Sequence, residues 1–520
     1  MKADVCIVGA GAAGGIMAHE LGRRGVRVVV LESGPRHDFA RRGEYVRRYL
    51  AHDDPWRTEL PALDRHTSGG TPAYTLAGRR VRAVGGTTLH WEGYALRFHA
   101  DDFRVRSLHG IADDWPLTYD DLEPYYARVE QALGVAGATD DRWSSPRSTP
   151  FPLPAFPLSY SDRVFGKAAE ALGVAVQSLP QARNSVAYGG RPACRACSTC
   201  AVCPTGAKAT IDLTHVPAAE ATGNVRIVTE ATVLALELDA AGRVGAAVYA
   251  HPDRVRRRVS ARVFVLAAGA VENARLLLLS TSSAFPRGLA NGSGLVGARF
   301  MSHPSIDVTA RTTESVYPHR IGFSTAMSRQ FAVGGNRSAR AGFLVEFLNS
   351  AGMTPSQLAL TSGLTGDALR RHVEADFGHR LGVRIYCEQL PDAGNAVTLD
   401  RAVTDHFGTP VPHVAYGVGR YERRALAEAQ ELATRMFTTL GATDVRASAV
   451  QVASHQIGTH RMGLDPRTSV VDAELRAHDV RNLYLVGRGA FVTATAAPPT
   501  PTIAALALRA AERIAAQAAD

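Results

Sequence analysis

The sequence predicts an α/β fold, α+β overall: a helix-covered parallel sheet assembled from separate stretches of chain, with a second unit built on an antiparallel sheet. Three observations predict it. A short apolar run at residues 4–8 (DVCIV) leads directly into the glycine-rich turn GAGAAG. A second apolar strand followed by glycines, NLYLVGRG, stands near the other end of the chain, at 482–489. Between them lie strand-like segments such as GVRIYCEQL from Gly382 and VPHVAYGV from Val411. At 520 residues the chain exceeds what one small core organises, so two or three packed units are expected.

The first strand is apolar because the centre of a parallel sheet is covered on both faces. In the turn that follows, Gly9, Gly11 and Gly14 have dinucleotide spacing. The first glycine permits the tight turn, the second lets backbone approach a pyrophosphate, and the third lets the next helix pack closely on the strand. That helix directs its N-terminal amides at the phosphates. The next strand, VRVVVLE, ends in Glu32, eighteen residues past Gly14, where a carboxylate can accept both ribose hydroxyls. Strand, loop, helix, strand and acid in this order predict a Rossmann-like dinucleotide site, open at this point to NAD or FAD.

The remaining elements follow from periodicity and composition. Residues 34–75, rich in Arg, Asp, Pro and Gly, read as a long loop or lid. The segment YERRALAEAQELATRMFTTL reads as an amphipathic helix, with Leu426, Ala429, Leu432, Met436 and Leu440 at helical spacing and Gly441 ending it.

Composition excludes several classes of function. The formal charge of +9 rests almost wholly on arginine, since Lys2, Lys167 and Lys208 are the only lysines. No motif or interleaved aromatic supports nucleic-acid binding, and the run from Arg254 to Arg258 reads as a solvated hairpin. No apolar stretch reaches the roughly 18 residues of a membrane span. The first apolar run enters the glycine turn rather than a cleavage site, so a cytoplasmic protein is expected, exported only if a partner carries the signal.

Four of the six cysteines, Cys194, Cys197, Cys200 and Cys203, form CxxCxxCxxCP. Such compaction is a ligand cluster rather than a disulfide framework. It suits an iron–sulfur cluster, with 4Fe-4S expected, and resembles the bacterial ferredoxin run. A structural zinc is the alternative, although zinc sites usually separate two CxxC pairs by a longer loop; free thiols are the other. Cys6 and Cys387 lie in apolar strands and read as core residues.

Residues 84–91, VGGTTLHW, open a series of ordered motifs. They continue through WPLTYDDLEPYYARVE from Trp115, VFVLAAGAVENARLLL from Val263, HQIGTHRMG from His455, and NLYLVGRGAF from Asn482. The series closes with TPTIAALALRAAERIA. Nearly end to end, the chain resembles the glucose–methanol–choline (GMC) oxidoreductases, FAD enzymes acting on alcohols. THRMG followed by SVVDAELRAHDVRNLYLVG is similar to the bacterial sugar and polyol dehydrogenase branch, the glucose, gluconate and fructose dehydrogenase large subunits, with pyranose oxidase nearby.

The resemblance implies FAD as cofactor. Gly85 and Gly86 then form a backbone-approach pair under the flavin ring, and Gly487 and Gly489 bring a second set of amides to it. Val233 matches the position whose backbone contacts adenine, and Thr500 joins the cofactor site. His90 is either joined to the flavin 8α-methyl, as in the pyranose oxidase branch, or packs unlinked beside the ring. His455 matches the catalytic base, for which a pKa near neutrality is suited. His460 reads as structural or as a supporting contact, while His303, His19 and His478 receive no role. The second polar side chain of the family's site falls on Pro498, which has no donor at all; His455 then acts alone or with Thr495 or Thr500. In the sugar dehydrogenase branch an iron–sulfur cluster sits before a CP-x-GAK phrase, matched here by Cys203 to Lys208, with a different cysteine spacing.

On this reading residues 1–100, 205–305 and 450–520 bind FAD, 101–190 and 306–449 bind substrate, and 191–204 are the cysteine insert. The expected activity is FAD-dependent dehydrogenation of a hydroxyl on a sugar, polyol or sugar-derived, aminoglycoside-like substrate. Electrons then leave through the cluster to an acceptor protein or small helper subunit. An oxygen-using oxidase and a non-catalytic electron-transfer flavoprotein are the alternatives.

Overall fold

In the computed structural model, which describes residues 2–317, 321–334 and 336–519, two seven-stranded sheets carry the fold. The first runs in the order Val225–Val228, Val28–Leu31, Lys2–Val8, Arg256–Leu266, Val244–Ala250, Thr232–Leu238. Lys2–Val8 lies between parallel neighbours on both sides, and Val5, Cys6 and Ile7 are wholly buried, as the apolar run requires. Arg256–Leu266 serves two neighbourhoods. Its arginine-rich first part pairs antiparallel with Val244–Ala250, and its apolar end pairs parallel with Lys2–Val8 and Leu483–Leu485. Three regions far apart in sequence thus meet on one strand.

The helix Ala12–Gly22 packs on this sheet through its first turns because glycine leaves no Cβ there. A Cβ on Gly14 would lie 1.9 Å from the Gly9 carbonyl oxygen, which demands the close approach anticipated for the third glycine. The final helix, Thr500–Ala519, packs against the same helix.

The second sheet is antiparallel and runs Thr443–Ala447, Pro304–Arg311, Arg380–Cys387, Phe343–Leu348, Ser324–Ser328, Gln177–Ser178, with Gln451–Val452 also paired to Pro304–Arg311. Strand alternation gives it two unlike faces. Val308, Val383, Ile385 and Phe347 point to one side, against Leu426, Leu432, Met436 and Phe437 of the helix Arg420–Thr439. Gly441, at φ 64°, follows that helix as expected. The other face carries Asp307, Arg384 and Glu346 in one cross-strand row. A third, three-stranded sheet joins Ala396–Thr404, Pro410–Gly417 and Thr67–Thr71.

The stretch 34–75 is more ordered than its polar composition suggests. It holds the helix Arg42–Leu50 and the strand Thr67–Thr71. The helix is anchored by Arg42, which is 2% exposed, pairs with Asp212 at 2.8 Å and donates to the Val202 carbonyl at 2.5 Å. Its Tyr45 packs against Trp56. Among the described residues no helix is long and apolar enough to cross a membrane.

Replacing Gly14 by alanine is expected to lower unfolding stability by about 1–3 kcal/mol, the usual cost of overpacking. Thermal denaturation checks it: an unchanged midpoint would show that strand and helix separate more easily than the contact implies.

Candidate active site

The glycine turn opens onto a cavity at the C-terminal end of the parallel strands, where open α/β sheets bind ligands. Glu32 lines it, 6% exposed, and its carboxylate accepts the backbone N–H of Ala10 and of Gly34, each at 2.8 Å. Burial pushes this carboxyl up, while the two amides pull it down. Glu272 closes another part of the wall, bridged to Arg80 and Arg82, which also hold Asp64.

The expected cofactor residues divide into two groups. Gly9, Gly11, Glu32, Gly86, Val233, Gly487 and Thr500 line the cavity. Gly14, Gly85, His90 and Gly489 are not among its lining residues. Gly85, at φ 97°, donates its N–H to the Ala10 carbonyl and thereby joins the two glycine loops. A Cβ on Gly86 would lie 2.8 Å from the Gly11 Cα, so the loops touch backbone to backbone. A Cβ on Gly489 would meet the His460 ring at 1.8 Å, so this glycine accommodates a wholly buried histidine. His90 is half-buried, and desolvation, with Lys208 and Arg488 nearby, pushes its imidazole down to about 4. It is therefore a neutral ring at physiological pH.

These residues fit a dinucleotide. The glycine contacts leave backbone room, Glu32 offers carboxylate oxygens at the ribose end, and Gln456 lines the cavity with its amide Nε2 unpartnered. Arg488 lines it too, and burial lowers its guanidinium, opposed by the phenol of Tyr74. FAD would therefore be held by Gly11, Glu32, Gly86, Val233 and Gly487.

His455 is half-buried, and its Nδ1 stands 2.7 Å from Nδ1 of His303, with ring centroids 4.6 Å apart. Tyr386 packs beside both rings, at 6.3 Å from His455 and 6.4 Å from His303. Desolvation, followed by His303, Arg488 and Arg79, drives the His455 pKa well below its ordinary value, and His303 falls to about 3. Sequence reasoning gave His303 no role. It lies immediately before the strand Pro304–Arg311, 152 residues from His455, and no local motif marks it. Pro498 is buried, so the position that lacks a polar side chain also lacks open space.

The cysteine loop lies beside the cavity wall. All four thiols are free; Cys194 is half-buried, Cys197 exposed, and Cys200 and Cys203 buried. Backbone N–H groups donate to sulfur from Ala196 to Cys194 at 3.4 Å and from Lys208 to Cys203 at 3.2 Å. The Arg183 guanidinium donates to Cys200 at 3.6 Å. Ala196, Ser198 and Cys203 have left-handed backbone (φ 51°, 57° and 49°), which folds the loop tightly. Even so, among the described residues no three His, Cys, Asp or Glu side chains converge as a metal-ligand set. The donor chemistry suits a thiophilic metal centre; the sulfurs are instead engaged separately. Lys208 ties this loop to the cavity, since its Nζ donates to the carbonyls of Leu89 (3.2 Å) and Trp91 (2.6 Å), on either side of His90.

Comparison with known proteins agrees with this geometry. The N-terminal GMC oxidoreductase model matches residues 6–305, and the C-terminal one matches 391–507. The chain is 34% identical to the fructose dehydrogenase large subunit of Gluconobacter japonicus, over 99% of this chain and 98% of that one. It is 29% identical to 2-methyl-1,2-propanediol dehydrogenase of Mycolicibacterium austroafricanum, over 100% and 96% of the two chains. Pyridoxine 4-oxidase from Mesorbium loti has the same fold, with TM-score 0.67 at 20% identity over 98% of this chain and 99% of that one. A glycine-cradled cavity that fits a dinucleotide, with family models matching both ends of the chain, makes this protein a member of the GMC oxidoreductases, FAD-dependent enzymes acting on CH–OH groups.

Proposed function

We propose that this enzyme is a dehydrogenase for a hydroxyl of a sugar, polyol or sugar-derived substrate. The observation that carries the proposal is the His455–His303 contact at 2.7 Å beside the cofactor cavity. When bound, FAD supplies the acceptor for the hydride that leaves the carbinol carbon. His455 takes the hydroxyl proton, and the products are a carbonyl and a proton later passed to solvent.

The contact allows two arrangements, and only one leaves His455 able to act as a base. Two Nδ1 atoms at hydrogen-bond distance require one donor and one acceptor. If His455 Nδ1–H donates to His303, the lone pair on His455 Nε2 is free to receive the substrate proton. The opposite arrangement would place a proton on that Nε2 and block it. His303 therefore acts as a positioning residue, selecting tautomer and ring orientation. Burial and neighbouring cations keep the pair neutral, which is the state a base requires. The substrate class has the names of two relatives behind it, one a fructose dehydrogenase subunit and one a diol dehydrogenase.

The cysteine loop supports a second part of the proposal: that it holds an iron–sulfur cluster and that an acceptor protein or small helper subunit takes the electrons. Its support is the CxxCxxCxxCP spacing, the N–H groups directed at Cys194 and Cys203, and a relative described as a large subunit. A cluster there would supply one-electron transfer.

Anaerobic mixing with sugars and polyols is expected to bleach the flavin. His455→Ala lowers the rate of that bleaching by at least about a hundredfold, the size of a general-base contribution, with FAD retained. Near-normal bleaching would move the base elsewhere, to His460 first. Because the His455 pKa is depressed, its basic form persists as pH falls through 6.5. The bleaching rate is therefore expected to stay flat from pH 8 to about 6, with its acid limb lower, and a limb centred near the ordinary histidine value of about 6.5 would contradict the assigned environment. Elemental analysis of the purified protein is expected to find iron; one zinc and no iron per chain would end the cluster proposal.

A further inference from the structure

The polar face of the antiparallel sheet has a use that the chemistry above does not explain. Asp307, Arg384 and Glu346 occupy one cross-strand row on the side opposite the packed helices. Glu92 and Tyr94, from the segment just after His90, meet this row. Tyr386 connects it to the catalytic pair: its hydroxyl lies 3.5 Å from Arg384 Nη1, and its ring lies beside His455 and His303.

The charges in this row do not balance. Arg384 forms a two-armed ion pair with Asp307 through Nε and Nη2, at 2.7 and 3.0 Å, and leaves Nη1 toward Tyr386. It reaches Glu92 only at 3.9 Å. Glu346 is fully buried; Tyr94 bonds its Oε1, and its Oε2 has no hydrogen-bond partner. The remaining cation near Glu92, Lys208, already donates to two backbone carbonyls. Glu92, Arg384 and Asp307 keep 27%, 29% and 23% of their side chains exposed, so the row reaches solvent on one side of the buried Glu346.

We propose that Glu92 and Glu346 form the substrate's distal subsite, and that the group it receives is a protonated amine on a hydroxylated substrate. A buried carboxyl oxygen without a donor is costly, and an ammonium supplies three donors and the missing charge. A neutral hydroxyl supplies one donor and no charge. Unliganded, the two acids share the burden by holding a proton: burial and the Glu92 charge raise Glu346 to about 8, and burial raises Glu92. When the amine arrives, it displaces that proton to solvent, and two carboxylates face one ammonium. Tyr386 and Arg384 then span the gap between this end and the hydroxyl presented to His455.

The inference rests on the dehydrogenase reading, and the experiment separates the two. The flavin spectrum of the anaerobic holoenzyme is titrated at pH 7 with 1-amino-1-deoxysorbitol and with sorbitol. The amino polyol is expected to bind at least about tenfold more tightly, as a charged hydrogen bond to carboxylate predicts. Calorimetry in buffers of different ionisation enthalpy is expected to register proton release with the amine alone. Glu346→Gln and Glu92→Gln, which keep size and shape, are expected to bring the affinity ratio toward one, whereas the exposed control Glu374→Gln leaves it unchanged. Equal affinities in the unaltered enzyme, or a ratio indifferent to both substitutions, overturn the amine subsite. Bleaching by neutral polyols with no amine preference would leave the dehydrogenase standing. Bleaching by no alcohol, neutral or amino, would remove the dehydrogenase reading, while the amine's tighter binding would still be read from the oxidised spectrum.

Discussion

Glu32 holds a carboxylate in a nearly closed site, tied by the amides of Ala10 and Gly34 on opposite sides of the first strand-turn-strand unit. A buried carboxylate that lost these donors would be strongly unfavourable, and bonds to a charged acceptor contribute about 1.5–3 kcal/mol each. The same contacts fix the turn containing Gly9 and Gly11 relative to the next strand. Once that turn is fixed, the Gly11–Gly86 contact sets the position of the second loop, and the Gly85 N–H bond to Ala10 holds it there. That loop carries His90 and Trp91, and Lys208 links its carbonyls to the cysteine loop. A chain of short backbone contacts therefore runs from one carboxylate to the thiols. Side chains larger than hydrogen at these glycines would interrupt it at the steps where two backbones touch.

The electrostatics around the cavity follow from the same enclosure. His90, His303, His455 and His460 are all pushed down by desolvation, and Arg488 acts on the first three. An arginine cannot relieve its own burial by losing a proton at ordinary pH, whereas an imidazole can. The histidines therefore stay neutral, and the guanidinium remains as the local positive charge. This distribution keeps His455 in its unprotonated form, weakens it as a base, and attracts negative charge into the cavity. On the other side of Tyr386 burial raises Glu92 and Glu346, and the Glu92 charge raises Glu346 further.

The parts legible in the sequence were those that depend on local spacing. Gly9, Gly11, Gly14 and Glu32 are close in sequence, and each performs a steric or hydrogen-bonding task that few other residues can do. The helix Arg420–Thr439 was equally readable, since its buried residues recur at helical spacing. The helix Arg42–Leu50 was not, because it is held by an arginine salt bridge and an aromatic pair rather than by an apolar stripe. His303 was hidden for a different reason: its partner is 152 residues away, and only the antiparallel sheet brings the two rings together. The polar row of Asp307, Arg384 and Glu346 required strand register, which alternation within one strand does not specify. Cysteine spacing identified a compact loop, yet spacing alone does not determine whether four sulfurs converge.

The His303 contact also explains how a proline can occupy the place of the family's second polar side chain. A polar residue at Pro498 could orient substrate, orient the base, or do both. On the proposed reading, orientation of the base comes from His303, which lies just before the strand Pro304–Arg311 and stands 2.7 Å from Nδ1 of His455. What remains on that reading is contact with the substrate, for which Tyr386 and the polar row would offer hydroxyl, guanidinium and carboxylate groups. Proline then costs little, and its fixed φ holds the turn into the helix Thr500–Ala519 whose first residue lines the cofactor cavity. On the proposed reading, the work of one side chain is divided between a histidine that sets the base and a sheet face that receives the substrate. Such a division would make substrate choice depend on residues separate from those that remove the proton, so the polar row could change its ligand without disturbing His455.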